Sequence, residues 1–141
     1  MTTLNDKTRA AVIAHGEETY PHECCGFLFG SDKGDRRQIS EYLSVENRRT
    51  ENRERRFQIA PEDYLKAERY ADEQGLELLG IYHSHPDHPA IPSEHDRRQA
   101  IPFFSYFIVS VMKGEGLVLR SWLLDKDFQF QEEIITESIT Q

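Results

Sequence analysis

A mixed α/β fold, with a largely antiparallel sheet flanked by helices, is what this sequence predicts. Three observations lead there. Segments of strand character interleave with helical ones, turn residues fold several strand pairs into hairpins, and the length suits one domain. The 141 residues are 38% hydrophobic and 11% aromatic, enough for one compact core. A single domain over residues 1–141 is expected, with a frayed tail from about 136.

The first helix runs from an N-cap at Asn5 to about Thr19. Asp6 complements its positive end, Ala10, Ala11, Ile13 and Ala14 supply an apolar patch, and Pro21 stops it. Cys24 to Phe29 is a short apolar run closed by Gly30, the length of a buried strand. A turn over Ser31 to Asp35 leads into a second strand, Gln38 to Val45, pairing back as a hairpin. Between Arg48 and Arg56 five arginines mix with Glu51, Glu54 and asparagine. That composition could steer an acidic partner or a carboxylate, and its default is a solvated, partly self-neutralised loop. It ends in the strand-like Phe57-Gln58-Ile59.

Pro61 opens a second helix that Gly75 closes, with Tyr64, Ala67 and Ala71 on one face. Leu76 to Tyr82 is strand-like and runs straight into His83-Ser84-His85-Pro86. A proline-rich loop follows, then a short polar helix from Ser93 to about Ala100. Tyr106 to Met112 and Leu117 to Leu124 form a hairpin about Gly114 and Gly116, and Phe128 to Ile135 adds an edge strand.

Several function classes are disfavoured. With 25 acidic and 17 basic side chains the net charge is −8, which opposes approach to nucleic acid. No apolar run nears the roughly 20 residues that span a bilayer, and the N-terminus lacks a signal peptide's charged and apolar regions. Cys24 and Cys25 are neighbours and unsuited to pairing, so a reduced cytoplasm is the expected location.

Four of the six histidines lie between His83 and His95. On a strand, His83 and His85 share a face, close enough for one metal ion. Asp96, in the first turn of the next helix, can complete a two-His, one-Asp set. Three protein ligands leave a fourth position for water, as at catalytic zinc sites; manganese, iron and cobalt stay open on donor type alone. Ser93 to Asp96 also fits a helix capping box. His88 and His95 read as bystanders.

The string His83-Ser84-His85-Pro86, six residues, then Ser93-Glu94-His95-Asp96 matches H-[ST]-H-P-x6-S-x-x-D and resembles the JAMM/MPN+ zinc metalloprotease motif. Upstream, Pro21 to Gly30 resembles that family's P-x-E-x-C-G segment. The resemblance runs from about Ala10 to Trp122, and the small stand-alone bacterial members are the most similar. It implies an MPN/cytidine-deaminase-like architecture and one Zn2+ per chain on His83, His85 and Asp96, with a bound water. It further implies Glu23 as general base and Ser93 as oxyanion donor. The implied activity is peptidase or isopeptidase, cutting after the C-terminal Gly-Gly of a ubiquitin-like or sulfur-carrier protein. The alternative is a non-catalytic MPN scaffold, which usually lacks a ligand. Zinc deaminases need a C-x-x-C, and thermolysin-type sites an H-E-x-x-H; the chain has neither. Ser84 is expected to face away from the histidines. Cys25 matches the family's C-G position and is expected to pack near the site; burial in an apolar strand argues against a thiol nucleophile.

Overall fold

A computed structural model describes residues 1–137, apart from the side chains of Leu117 and Glu137. Its elements are β1 (Thr2–Leu4), α1 (Asp6–Thr19), β2 (Cys25–Asp32), β3 (Arg37–Val45), α2 (Pro61–Gln74), β4 (Glu77–Pro86), α3 (Glu94–Gln99), β5 (Ser105–Met112), β6 (Glu115–Leu124), β7 (Phe130–Glu133) and β8 (Ile135–Glu137). The strands form one sheet in the order β7-β6-β5-β4-β2-β3-β1-β8. The long neighbours β2–β3, β2–β4 and β5–β6 are antiparallel, as is β6–β7, while β4–β5, β1–β3 and β1–β8 are parallel. The predicted mixed, largely antiparallel sheet flanked by helices is the fold observed.

Strand alternation separates two apolar layers. Leu28, Tyr82, Phe107 and Val109 pack with Val12 of α1. Phe27, Phe29, Ile81 and Tyr106 pack with Ala67 and Ala71 of α2. His83 and His85 follow Ile81 on the α2 side, and Ser84 stands on the α1 side with Tyr82. Because β4 lies between β2 and β5, His83 pairs across to Cys25 and Ile108 and is 1% exposed.

The structure departs from the sequence reading at several points. The buried face of α1 is Thr8, Val12 and Gly16, not the alanine patch; Ala10 and Ala14 are exposed. A Cβ on Gly16 would lie 3.1–3.3 Å from Val109, Val111 and Ser84, so close approach to the sheet selects the face. β2 continues through Gly30 to Asp32, shortening the turn. Phe57 to Ile59 is no strand: the Gln58 N–H donates to Asn47 Oδ1, and its carbonyl accepts from Arg48. β1 carries too few residues to show periodicity in the sequence. Finally, the expected Phe128–Ile135 strand is split into β7 and β8 by Ile134.

Those last two strands lie at opposite edges of the sheet, yet only Ile134 separates them. The sheet therefore curls until its edges approach. Glu133 clasps them, accepting from Thr2 Oγ1 at 2.8 Å and Ser121 Oγ at 2.5 Å. The expected frayed tail starts at about 136, but Thr136 and Glu137 belong to β8; its remainder lies outside the described residues.

Candidate metal centre

Each site residue is positioned by local chemistry. His85 sits near the end of β4, where Pro86 leads into the loop. Its Nδ1 lies 2.9 Å from the carbonyl of Pro89. A carbonyl only accepts, so Nδ1 carries the proton and Nε2 is left with a lone pair. The loop that delivers Pro89 is tied back to the sheet. Ser110 Oγ donates to His88 O at 2.7 Å, and Trp122 Nε1 donates to Ala90 O at 3.0 Å. These bonds return α3 toward the histidines.

Ser93 caps α3, its Oγ accepting from Asp96 N at 3.1 Å. Reciprocally, Asp96 Oδ2 accepts from Ser93 N at 2.9 Å, completing the capping box. That fixes the Asp96 carboxylate. The same Oδ2 lies 3.2 Å from His85 Nε2 and 3.8 Å from His83 Nε2. Two imidazole nitrogens thus face one carboxylate oxygen. The donor set fits a divalent metal ion.

Glu23, 3% exposed, approaches His83 from the other side, its Oε1 3.4 Å from Nδ1. Among the described residues, neither of those buried atoms has a hydrogen-bond partner. Glu23, His83 and His85 each offer a donor atom, all within 4.8 Å of one another. The geometry thus offers two candidate third ligands, Asp96 and Glu23, on opposite edges of the His83 ring. Electrostatics tie the group together. Burial would push the His83 pKa down, but the Asp96 and Glu23 carboxylates outweigh it and the net shift is upward. Burial opposes ionisation of Asp96, yet His83, His85 and the Ser93 N–H hold its carboxyl well below the usual range.

Ser84 does face away: its Oγ accepts from the Cys24 N–H at 2.8 Å. Both cysteines are free and buried. Desolvation pushes the Cys24 thiol up to about 12, with Cys25 shifted the same way.

The arginine-rich segment is the part that sequence reasoning undervalued. Asn47 organises it, its Nδ2 donating to Glu23 O and Arg56 O and its Oδ1 accepting from the N–H groups of Arg49 and Gln58. The Glu23 N–H donates in turn to Arg53 O at 2.7 Å. Phe57 then stacks on His83, ring centroids 4.5 Å apart. The segment forms one wall of two clefts that meet at the site. Phe57, Ile59, Tyr64 and Tyr106 line the first, with His83 and Asp96. Glu23, His85, Ser93, Arg55, Arg56 and Arg98 line the second. His95, expected as a bystander, borders both. Only the odd aromatic at Phe57 within a polar run hinted at this.

Comparison with known proteins identifies the family. A family model described as prokaryotic homologs of the JAB domain matches residues 5–125. The chain is 33% identical over 113 residues to tail tip assembly protein K of Escherichia phage N15, covering 79% of this chain but only 42% of that protein. It is 32% identical over 116 residues to a desampylase of Pyrococcus furiosus, covering 82% and 76% of the two chains. To a CysO-cysteine peptidase of Mycobacterium tuberculosis it is 29% identical over 113 residues, covering 79% and 75%. Among solved structures, a protein of Desulfitobacterium hafniense superposes with a TM-score of 0.85 at 34% identity, covering 98% and 93%. A JAB1/MPN domain protein of Archaeoglobus fulgidus shares the fold, with a TM-score of 0.61 at 16% identity over 98% and 96%. This chain belongs to the family of prokaryotic JAB-domain homologues.

Proposed function

We propose that the protein is a zinc-dependent peptidase or isopeptidase that hydrolyses an amide bond after the Gly-Gly tail of a ubiquitin-like or sulfur-carrier protein. The observation that carries this reading is the convergence of His83 Nε2, His85 Nε2 and Asp96 Oδ2 beside a buried Glu23. Zinc suits a nitrogen- and oxygen-donor set that leaves one position open. When bound, zinc would supply a water of lowered pKa and polarise the scissile carbonyl.

Asp96 is the better third ligand, because its Oδ2 faces the Nε2 atoms of both histidines while Glu23 meets His83 at Nδ1. Glu23 is then free to take a proton from the attacking water and hand it to the leaving nitrogen. Ser93 accepts a bond from Asp96 N, which leaves its hydroxyl hydrogen to donate to the carbonyl oxygen as charge builds there. Relatives named desampylase and CysO-cysteine peptidase support the substrate class. The chain spans under half of the phage relative, so that protein's whole activity is no guide here.

The test is a β-grasp carrier protein extended past its Gly-Gly end by cysteine or a short peptide. Mass spectrometry of the products should show cleavage after Gly-Gly that a chelator abolishes and added zinc restores. Cleavage indifferent to chelation would overturn the reading.

A further inference from the structure

We infer that Asn47 is a positioning residue for hydrolysis: its side-chain amide, bonded to the Glu23 carbonyl, sets where the buried Glu23 carboxylate stands. The inference rests on the peptidase reading, in which Glu23 moves the protons, and it names what holds that base in place.

The sheet does not hold it. Strand pairing along β2 begins at Cys25, opposite His83 and Val45, so Glu23 lies before the ladder. Its carboxylate is not anchored at Oε1, which is buried and has no hydrogen-bond partner among the described residues. The backbone therefore decides where the carboxylate points. The Glu23 N–H donates to Arg53 O at 2.7 Å, and the Glu23 carbonyl accepts from Asn47 Nδ2 at 3.1 Å. The N–H of the same peptide plane, that of Cys24, donates to Ser84 Oγ at 2.8 Å. The peptide after Glu23 is thus gripped from both sides, by Asn47 and by the strand that carries the histidines.

Asn47 suits this place as few side chains could. Its Nδ2 also donates to Arg56 O at 3.1 Å, and its Oδ1 accepts from the N–H groups of Arg49 at 3.0 Å and Gln58 at 3.1 Å. Both donor hydrogens and both acceptor positions are used, the full capacity of a primary amide, and the flipped amide would set oxygen against two carbonyls. Arg53, which holds the Glu23 N–H, lies in the loop bracketed by those bonds to Arg49 and Arg56. The metal-ligand candidates are placed by other means. His83 pairs within the sheet, His85 meets the Pro89 carbonyl, and Asp96 sits in the α3 cap. Losing the Asn47 amide should misplace the base and leave the ligands where they are.

Asn47→Asp is the informative variant. It keeps the acceptor for Arg49 and Gln58 and replaces the donor half by an oxygen facing the Glu23 and Arg56 carbonyls. The substrate is a β-grasp carrier protein ending in Gly-Gly-Cys, with zinc-loaded enzyme. The kcat should fall about 10- to 100-fold, the cost of a displaced catalytic group. KM should stay within about threefold, as for an interaction made only in the transition state, and zinc stoichiometry should be unchanged. Added to Glu23→Gln, the same substitution should change kcat by less than about twofold, because a residue acting through the base has nothing left to act on. In the metal-free protein, the Glu23 amide should exchange with solvent at least about 10-fold faster in Asn47→Asp, while Cys25 stays protected. Asn47→Ala removes the amide without adding charge and should repeat the pattern. An equal kcat loss in both Glu23 backgrounds, an unchanged kcat, or undiminished Glu23 protection would overturn the inference and leave the peptidase reading intact. Loss of the cooperative melt in both variants would make Asn47 a structural residue and overturn it as well. A wild-type enzyme that leaves the carrier uncleaved would overturn both.

Discussion

Glu23 sits where two different tasks are open to it. As an acceptor for the Nδ1 proton it could hold the His83 ring, the usual partner of a metal-bound imidazole. As a base it must change protonation state. Glutamine separates the two, because its side-chain oxygen can accept an Nδ1–H but takes up no proton near neutral pH. Glu23→Gln should keep its zinc stoichiometry while turnover falls on the order of 10²–10⁴-fold. Full turnover would leave Glu23 as an orienting residue and the mechanism without its base. Ser93 is coupled differently, since its hydroxyl caps α3 and thereby steadies Asp96. Ser93→Ala should lower stability by about 1 kcal/mol and turnover by roughly 10²-fold. A stability loss with unchanged turnover would reduce Ser93 to a cap.

At the scale of elements, β2 opens with the buried Cys25 thiol, the buried Cys24 thiol precedes it next to Glu23, and their burial has a pH signature. The Cys24 thiol is pushed up to about 12 from an ordinary 9.0, with desolvation the largest cause. Below pH 8 both folded and unfolded chains keep the proton, so stability is unaffected. As pH rises past 9 only the unfolded chain ionises, so stability falls progressively toward pH 12. At pH 10.5 the loss is about 2 kcal/mol for this thiol. Urea midpoints at pH 7.5 and 10.5 should show it, and Cys24→Ala should flatten the difference; an equal slope in that variant would reject the account. Iodoacetamide at neutral pH should leave both native thiols unmodified. The elements also show what a sequence can reveal. H-x-H on a strand and the box from Ser93 to Asp96 are local patterns, so the histidine pair and the α3 cap were legible. The working face of α1 was not, because Ala10 and Ala14 tolerate solvent as well as burial while Gly16 is chosen by the sheet beneath it. Nor was the segment that Asn47 folds over Glu23, since its hydrogen bonds join residues distant in sequence.

For the whole molecule, the question is whether the metal holds the fold or is held by it. The two apolar layers close on either face of the sheet through residues other than the site, and Glu133 of β7 links β1 and β6, the strands next to the sheet's two edges. The site lies at the end of β4, where backbone pairing and loop ties already place the histidines. Metal binding should therefore add only its linkage free energy. With free metal at about 100 times Kd that is about 2.7 kcal/mol, or roughly 5–10 °C in Tm for a chain of this size. Stripping the metal with a chelator should cost that much while preserving far-UV circular dichroism and a cooperative melt. His83→Ala should start from a metal-free protein and show no chelator shift. Glu133→Ala provides the converse, a lower Tm with unchanged zinc content, because it loosens the sheet edges and touches no ligand. A chelated protein that melts without cooperativity would mean that the metal is part of the core, contrary to this partition.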